Sequence, residues 1–354
     1  MVIAIVFLIT NFGSVPTKNS IETEQLGIKS GGEIESKHIV PLDEIVSGGP
    51  PPDGIPSIDK PKFVSKEEAD KVLQDADQIV GININGDIRA YPLQILVWHE
   101  IVNDDVGGTP VAVTYCPLCF TNQVFNRTVD GQTVEFGTSG KLYNSNLVMY
   151  DRTSNSLWSQ AVGQSIAGKH AGLKLEKIPF DVAFWKEWKQ LYPDTKVLSR
   201  DTGSSRPYGA DPYGNYYTSN DLFFPVTNTD DRLGLKEIVV GLENGGEFKA
   251  YKLQQIQDTK VVNDRIGNKS FALFSLHPFM VIVFDGTLDG QKLDFQYNKN
   301  SSKITDGQTG SEWNFDGIGI AGPMKGKHLT RLPVDEGFWF EWVAFHPETA
   351  IYSG

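Results

Sequence analysis

The feature that most restricts the fold is a repeat: laid on itself at an offset of 160 residues, the chain matches its own sequence in register. Val80-Gly81-Ile82 through Ala90-Tyr91-Pro92-Leu93-Gln94 lies on Val240-Gly241-Leu242 through Ala250-Tyr251-Lys252-Leu253-Gln254. Val102-Asn103-Asp104 returns as Val262-Asn263-Asp264, and Gly107 as Gly267. Farther on, with small deletions, Asp130-Gly131-Gln132 returns as Asp289-Gly290-Gln291 and Trp158 as Trp313. Phe184-Trp185 with Glu187-Trp188 returns as Phe338-Trp339 with Glu341-Trp342. Order kept over so many positions reads as a tandem duplication. The expected organisation is a signal or anchor remnant with a Gly/Pro-rich tether over 1–59, a first repeat with a connector over 60–224, and a second, degenerate repeat over 225–354.

Each copy reads mainly as strands. Residues 82–90 alternate around Asn85-Gly86, the strongest short-range hairpin signal. Residues 109–115 are β-branched and aromatic, 122–136 suggest a second hairpin turning at Asp130-Gly131, and 146–150 another short strand. Helix is sparse: 91–100 has helical spacing, and 181–191 opens with Asp181 as a cap and stops before Pro193. The expected fold class is α+β, mainly β, with few short helices.

At 354 residues and 40% hydrophobic composition a sizeable core is within reach. With 44 acidic against 32 basic residues the net charge is −12, which repels phosphate backbones and excludes nucleic acid as the expected partner. The apolar run at residues 2–9 is far shorter than the roughly 20 residues a membrane-spanning helix needs. It resembles the core of a signal or anchor segment, with a buried N-terminal strand as the alternative. The polar stretch after it, with Ser47-Gly48-Gly49-Pro50-Pro51-Pro52, suits a tether. Together they predict an extracytoplasmic protein, secreted or held at a membrane.

Two cysteines, Cys116 and Cys119, are the whole complement, so no disulfide framework exists. Cys116-Pro117-Leu118-Cys119 follows a strand, and Trp98-His99-Glu100 lies just upstream. Two thiolates at this spacing with one imidazole make a three-ligand metal set of His99, Cys116 and Cys119. The alternatives are a surface disulfide, a free dithiol, or a redox pair, although thioredoxin-type motifs open a helix within a βαβ unit that is missing here. In the second copy the motif aligns with His277-Pro278-Phe279-Met280, whose ends are still soft or borderline ligands of the kind copper selects, or else the remnant of a lost site. Phe136-Gly137-Thr138-Ser139-Gly140, confined to the first copy, suggests either a pocket lining or a tight turn. Asp151-Arg152 reads as ion-pairing and Trp185 with Trp188 as core. His99-Glu100 before a CxxC also suggests a zinc deaminase or hydrolase, but the Glu adjoins the His and no Pro precedes Cys116.

The chain resembles the family known as domain of unknown function 3179, found in secreted or anchored prokaryotic proteins. The residues that carry the resemblance include Asp53-Gly54-Ile55-Pro56, Trp98-His99-Glu100-Ile101-Val102-Asn103-Asp104, Thr114-Tyr115-Cys116-Pro117-Leu118-Cys119 and Tyr143-Asn144-Ser145-Asn146. They continue through Leu157-Trp158-Ser159-Gln160, Ser205-Arg206-Pro207-Tyr208-Gly209 and Asp230-Asp231-Arg232-Leu233. It is also similar to proteins of ammonia-oxidising archaea, whose extracytoplasmic respiratory machinery leans on copper, and this implies copper ahead of zinc. The function expected is a mononuclear copper protein acting in electron transfer, copper handling or small-molecule redox chemistry, with a redox protein as a possible partner. A structural or partner-binding surface protein with an oxidised CxxC is the remaining class.

Overall fold

The computed structural model describes residues 37–354 and is strand-rich, with a few short helices. The apolar run at 2–9 and the first part of the expected tether lie outside the described residues. The rest of that expected tether is not free. His38 bridges Ala167, β1 (Val46–Ser47) pairs with the strand Phe136–Tyr143, and Ile58 bridges Val102. Arg152 fixes it with ion pairs to Asp59 at 2.7 Å and Asp53 at 3.0 Å, a long-range attachment that Gly/Pro composition does not reveal.

β2 (Gln78–Ile84) and β3 (Asp87–Pro92) form the expected hairpin. Asn85 and Gly86 take φ of 53° and 82°, the paired left-handed conformation that a two-residue turn demands. A short helix, α1 (Leu93–Leu96), covers only part of the span with helical spacing. β4 (Ile101–Val106), β5 (Thr109–Cys116) and β6 (Thr121–Asn126) follow as a meander. Asp130-Gly131 does turn a ribbon, but a minor one joining Thr128–Val129 to Gln132–Thr133. β6 pairs back onto β5, and β7 (Phe136–Tyr143) pairs forward onto β8 (Asn146–Asp151). Asp181 caps no helix. It lies in β9 (Asp181–Phe184), opposite Gly81 of β2, and α2 (Trp185–Leu191) starts after Phe184 without a side-chain cap. Burial and the ion pair with Arg331 at 2.5 Å draw Asp181 inward, a pull from 150 residues away that local pattern does not show.

The second half repeats these contacts. β10 (Ile238–Asn244) and β11 (Glu247–Lys252) pair with Val240 opposite Tyr251, as Val80 lies opposite Tyr91. Trp158 donates its indole N–H to Asp151 at 3.0 Å and Trp313 to Asp306 at 2.9 Å. Asn103 exchanges two hydrogen bonds with the backbone of Phe136, and Asn263 does the same with Phe295. Gly81 and Gly241 are small for one reason: a Cβ there would stand 2.3 Å and 2.2 Å from the rings of Trp188 and Trp342.

The halves share a sheet. β11, β10 and β12 (Asp335–Phe338), with the short edge strand Ala350–Ile351 on β11, continue through β6, β5 and β4 to make seven strands, joined where Glu336 lies opposite Asn122. α3 (Trp339–Phe345) follows β12. One buried apolar cluster runs across the junction, from Val113, Cys119 and Phe125 to Val240, Leu273 and Phe338.

Candidate functional site

Cys116 ends β5 and faces Thr121, the first residue of β6, so Cys116-Pro117-Leu118-Cys119 is the turn between two antiparallel strands. Cys119 N–H closes it on the Cys116 carbonyl at 3.2 Å, and Phe120 leaves it at φ 56°. No helix follows, in keeping with the argument against a thioredoxin-type motif. Both cysteines are free thiols and nearly sealed, at 2% and 0% exposure. Cys119 Sγ donates to the Ser145 carbonyl at 3.1 Å. Burial, then the adjacent Cys116 thiol, then the Glu341 carboxyl push the Cys119 thiol well above the ordinary range. A thiol sealed as Cys119 is stays protonated and unreactive unless a cation takes the place of its proton.

The second half helps to cover the turn. Phe338 N–H donates to the Cys119 carbonyl at 2.9 Å, and the Phe338 ring stacks on Phe120 at 5.5 Å. From the segment aligned with the motif, Phe279 reaches Phe120, with ring centroids 6.0 Å apart. His277 packs against Phe315 instead, and Met280 belongs to the separate cluster around Phe274 and Trp313. The connector adds Tyr216, whose hydroxyl donates to the Leu118 carbonyl at 2.8 Å.

His99 is occupied elsewhere. One ring nitrogen, Nδ1, is 2.7 Å from the Pro56 carbonyl and Nε2 is 2.6 Å from the Tyr208 hydroxyl. Burial lowers its basicity, so the neutral ring donates from Nδ1 to Pro56 and accepts at Nε2 from Tyr208. In this role it clips the segment 53–56 and the connector to the body. Among the described residues no three of His, Cys, Asp and Glu are grouped to hold a metal ion, so His99, Cys116 and Cys119 are not assembled as the three-ligand set expected from spacing.

Beside the dithiol turn lies a cavity of about 430 Å³. Leu118 lines it, and so does Glu100, which is 8% exposed. Burial alone pushes the Glu100 carboxyl up to about 8, with no hydrogen bond acting on it. Thr138 and Gly140 line the same space, and Gly140 has φ 72° with a Cβ position 2.0 Å from the Pro50 carbonyl, but at a bulge within β7 and not at the tight turn expected as the alternative. Sequence reasoning missed the part played by Glu341 and by three tyrosines of the connector: Tyr216 on Leu118, Tyr213 in the cavity wall, and Tyr217 edge-on to Phe120 at 6.2 Å. The three tyrosines were visible only as the aromatic spacing i, i+3, i+4 in a connector.

The site is thus a buried CxxC turn in a strand-rich body, at the junction of two similar halves. No curated protein and no solved structure matches the chain. The family is nevertheless clear. Residues 52–349 match the model described as "Protein of unknown function (DUF3179)", and the chain belongs to that family.

Proposed function

We propose that this protein is an extracytoplasmic copper-handling protein in which Cys116 and Cys119 hold a single Cu(I). The observation that carries the reading is a pair of adjacent, sealed thiols which, among the described residues, no His, Asp or Glu joins in a three-residue metal group. Soft thiolates select Cu(I), which accepts two such ligands, whereas catalytic zinc wants three protein ligands and an open position. The departures from the zinc deaminase pattern are thereby deepened: the imidazole is engaged by Pro56 and Tyr208, and Glu100 faces a cavity. Two thiolates alone favour the cuprous state, so handling fits better than electron transfer, which needs both oxidation states. When bound, the ion would supply the charge that lets the Cys119 thiol lose its proton; the chain's own part is to fix the turn and exclude water, and without the ion the Ser145 carbonyl accepts that proton's hydrogen bond. The expected location outside the cytoplasm rests on residues 2–9; among the described residues no helix is long and apolar enough to cross a membrane.

The test is Cu(I) competition against bathocuproine disulfonate under anaerobic conditions, with metal analysis of protein purified without added metal. One Cu(I) per chain is expected, lost in Cys116→Ser and in Cys119→Ser and kept in His99→Ala. Failure to compete for Cu(I), or stoichiometric zinc that depends on His99, overturns the reading.

A further inference from the structure

The cavity beside the dithiol turn has an uncommon composition. Its walls are apolar, from Ile55, Leu118, Leu142, Leu147, Leu222 and Phe223, and its volume of about 430 Å³ falls in the range of small-molecule sites. Of its charged-type lining residues, Asp221 is exposed and Lys141 half-buried, while Glu100 is more than nine-tenths buried. The Glu100 carboxyl makes no hydrogen bond among the described residues, and its oxygens are not sealed in protein: they face the space of the cavity. Phe223, at 37% exposure, leaves an aromatic face at the mouth.

Comparison of the two halves separates what the fold needs from what this cavity adds. Glu100 sits at φ 61° just after the helical turn, its N–H on the Leu96 carbonyl at 2.7 Å and its carbonyl receiving Tyr115 N–H at 2.8 Å. The aligned Lys260 has φ 71°, with its N–H on the Ile256 carbonyl and its carbonyl receiving Ser275 N–H, both at 2.8 Å. The left-handed backbone is thus the way either half ends its helical turn. The fold requires the conformation but not the carboxyl, and a Glu in that position aims into an apolar cavity only in the first half.

We propose that this cavity is a binding site for a small, neutral, largely apolar molecule bearing a carbonyl or amide oxygen, which Glu100 receives with a hydrogen bond. The apolar walls take up the body of the ligand, and its oxygen gives the Glu100 carboxyl the partner that the protein withholds. The site is independent of any metal at the thiols, and the metal-free protein binds equally well.

The probe is 6-propionyl-2-dimethylaminonaphthalene, a neutral ketone whose emission shifts to the red when its carbonyl accepts a hydrogen bond. Saturable binding is expected, with bound emission lying to the red of that in an aprotic solvent of matching polarity. Leu222→Trp, which fills the cavity from its outer wall, weakens binding at least tenfold. Glu100→Gln, which keeps a donor, stays within about threefold, and Glu100→Met weakens binding roughly tenfold and moves bound emission to the blue. Absence of saturable binding, insensitivity to Leu222→Trp, or unchanged affinity and emission in Glu100→Met overturns the proposal. Should Glu100→Met not fold, the wild-type bound emission decides alone: a position matching the aprotic reference refutes the hydrogen bond.

Discussion

Replacing Glu336 by Gln separates the electrostatics of the shared sheet from its packing. Glu336 lies opposite Asn122 where the halves join, is 2% exposed, and has one carboxyl oxygen, Oε1, without a partner. Burial, then the neighbouring Asp181, pushes it from an ordinary value of 4.5 up to about 8. Because the folded value is the higher one, the native protein holds a proton that the unfolded chain has released between pH 4.5 and about 8. Stability from this group is therefore full below about pH 4.5 and falls as pH rises, by about 1.4 kcal/mol per pH unit, until it levels near pH 8. Across the whole window the loss is roughly 5 kcal/mol as an upper order of magnitude. The amide of Gln has the same shape and no such titration. Urea unfolding at half-unit intervals from pH 5 to 9 reads the difference between Glu336→Gln and wild type, in which the other titrating groups cancel. The variant gains stability on wild type steadily up to about pH 8 and at a constant margin above it. A difference independent of pH refutes the argument, whatever its sign.

Gly241→Ala and Gly81→Ala each drive a methyl group into a tryptophan ring, and each lowers the urea midpoint by the equivalent of about 1–3 kcal/mol. Gly86→Ala, with open space around it, costs only the strain of its left-handed backbone. Arg152→Ala removes the ion pairs to Asp53 and Asp59, and limited proteolysis then cuts within residues 37–59 before the body, where wild type resists. His99→Ala lowers thermal stability, and Tyr208→Phe lowers it less, since only one of the two ring contacts is lost.

The local elements were legible in the sequence where their causes are local. Asn85-Gly86 announces its hairpin because two successive left-handed residues are cheap only for such a pair, and the CxxC could be placed at a strand end from Thr109 to Tyr115. The burial of Trp185 and Trp188 and the ion pairing of Arg152 were legible from their kind. What the sequence did not disclose depends on partners far along the chain. His99 looked like a ligand because its nearest cysteines are close in sequence, yet its nitrogens belong to Pro56, 43 residues before it, and Tyr208, 109 residues after. Residues 37–59 looked like a tether since Gly and Pro report what the backbone can do and not that Arg152 holds it.

The seam between the halves also sets an order of events during folding. Gln123 hydrogen-bonds Asp335 across 212 residues of chain, so this closure comes late, after each half has formed its nearer pairings. Within the first half, residues 176–178 already cover the far end of β6, with Ile178 N–H on Val124 and Asn126 N–H on Glu176. Its near end, directly beside Cys119, waits for β12. Phe338 and Glu341 lie against the dithiol turn from the second half, so that part of its cover comes only when the seam closes. Under the proposed Cu(I) reading, loading would belong to the maturation of the chain, and exchange from the finished protein would be governed by how often that seam opens.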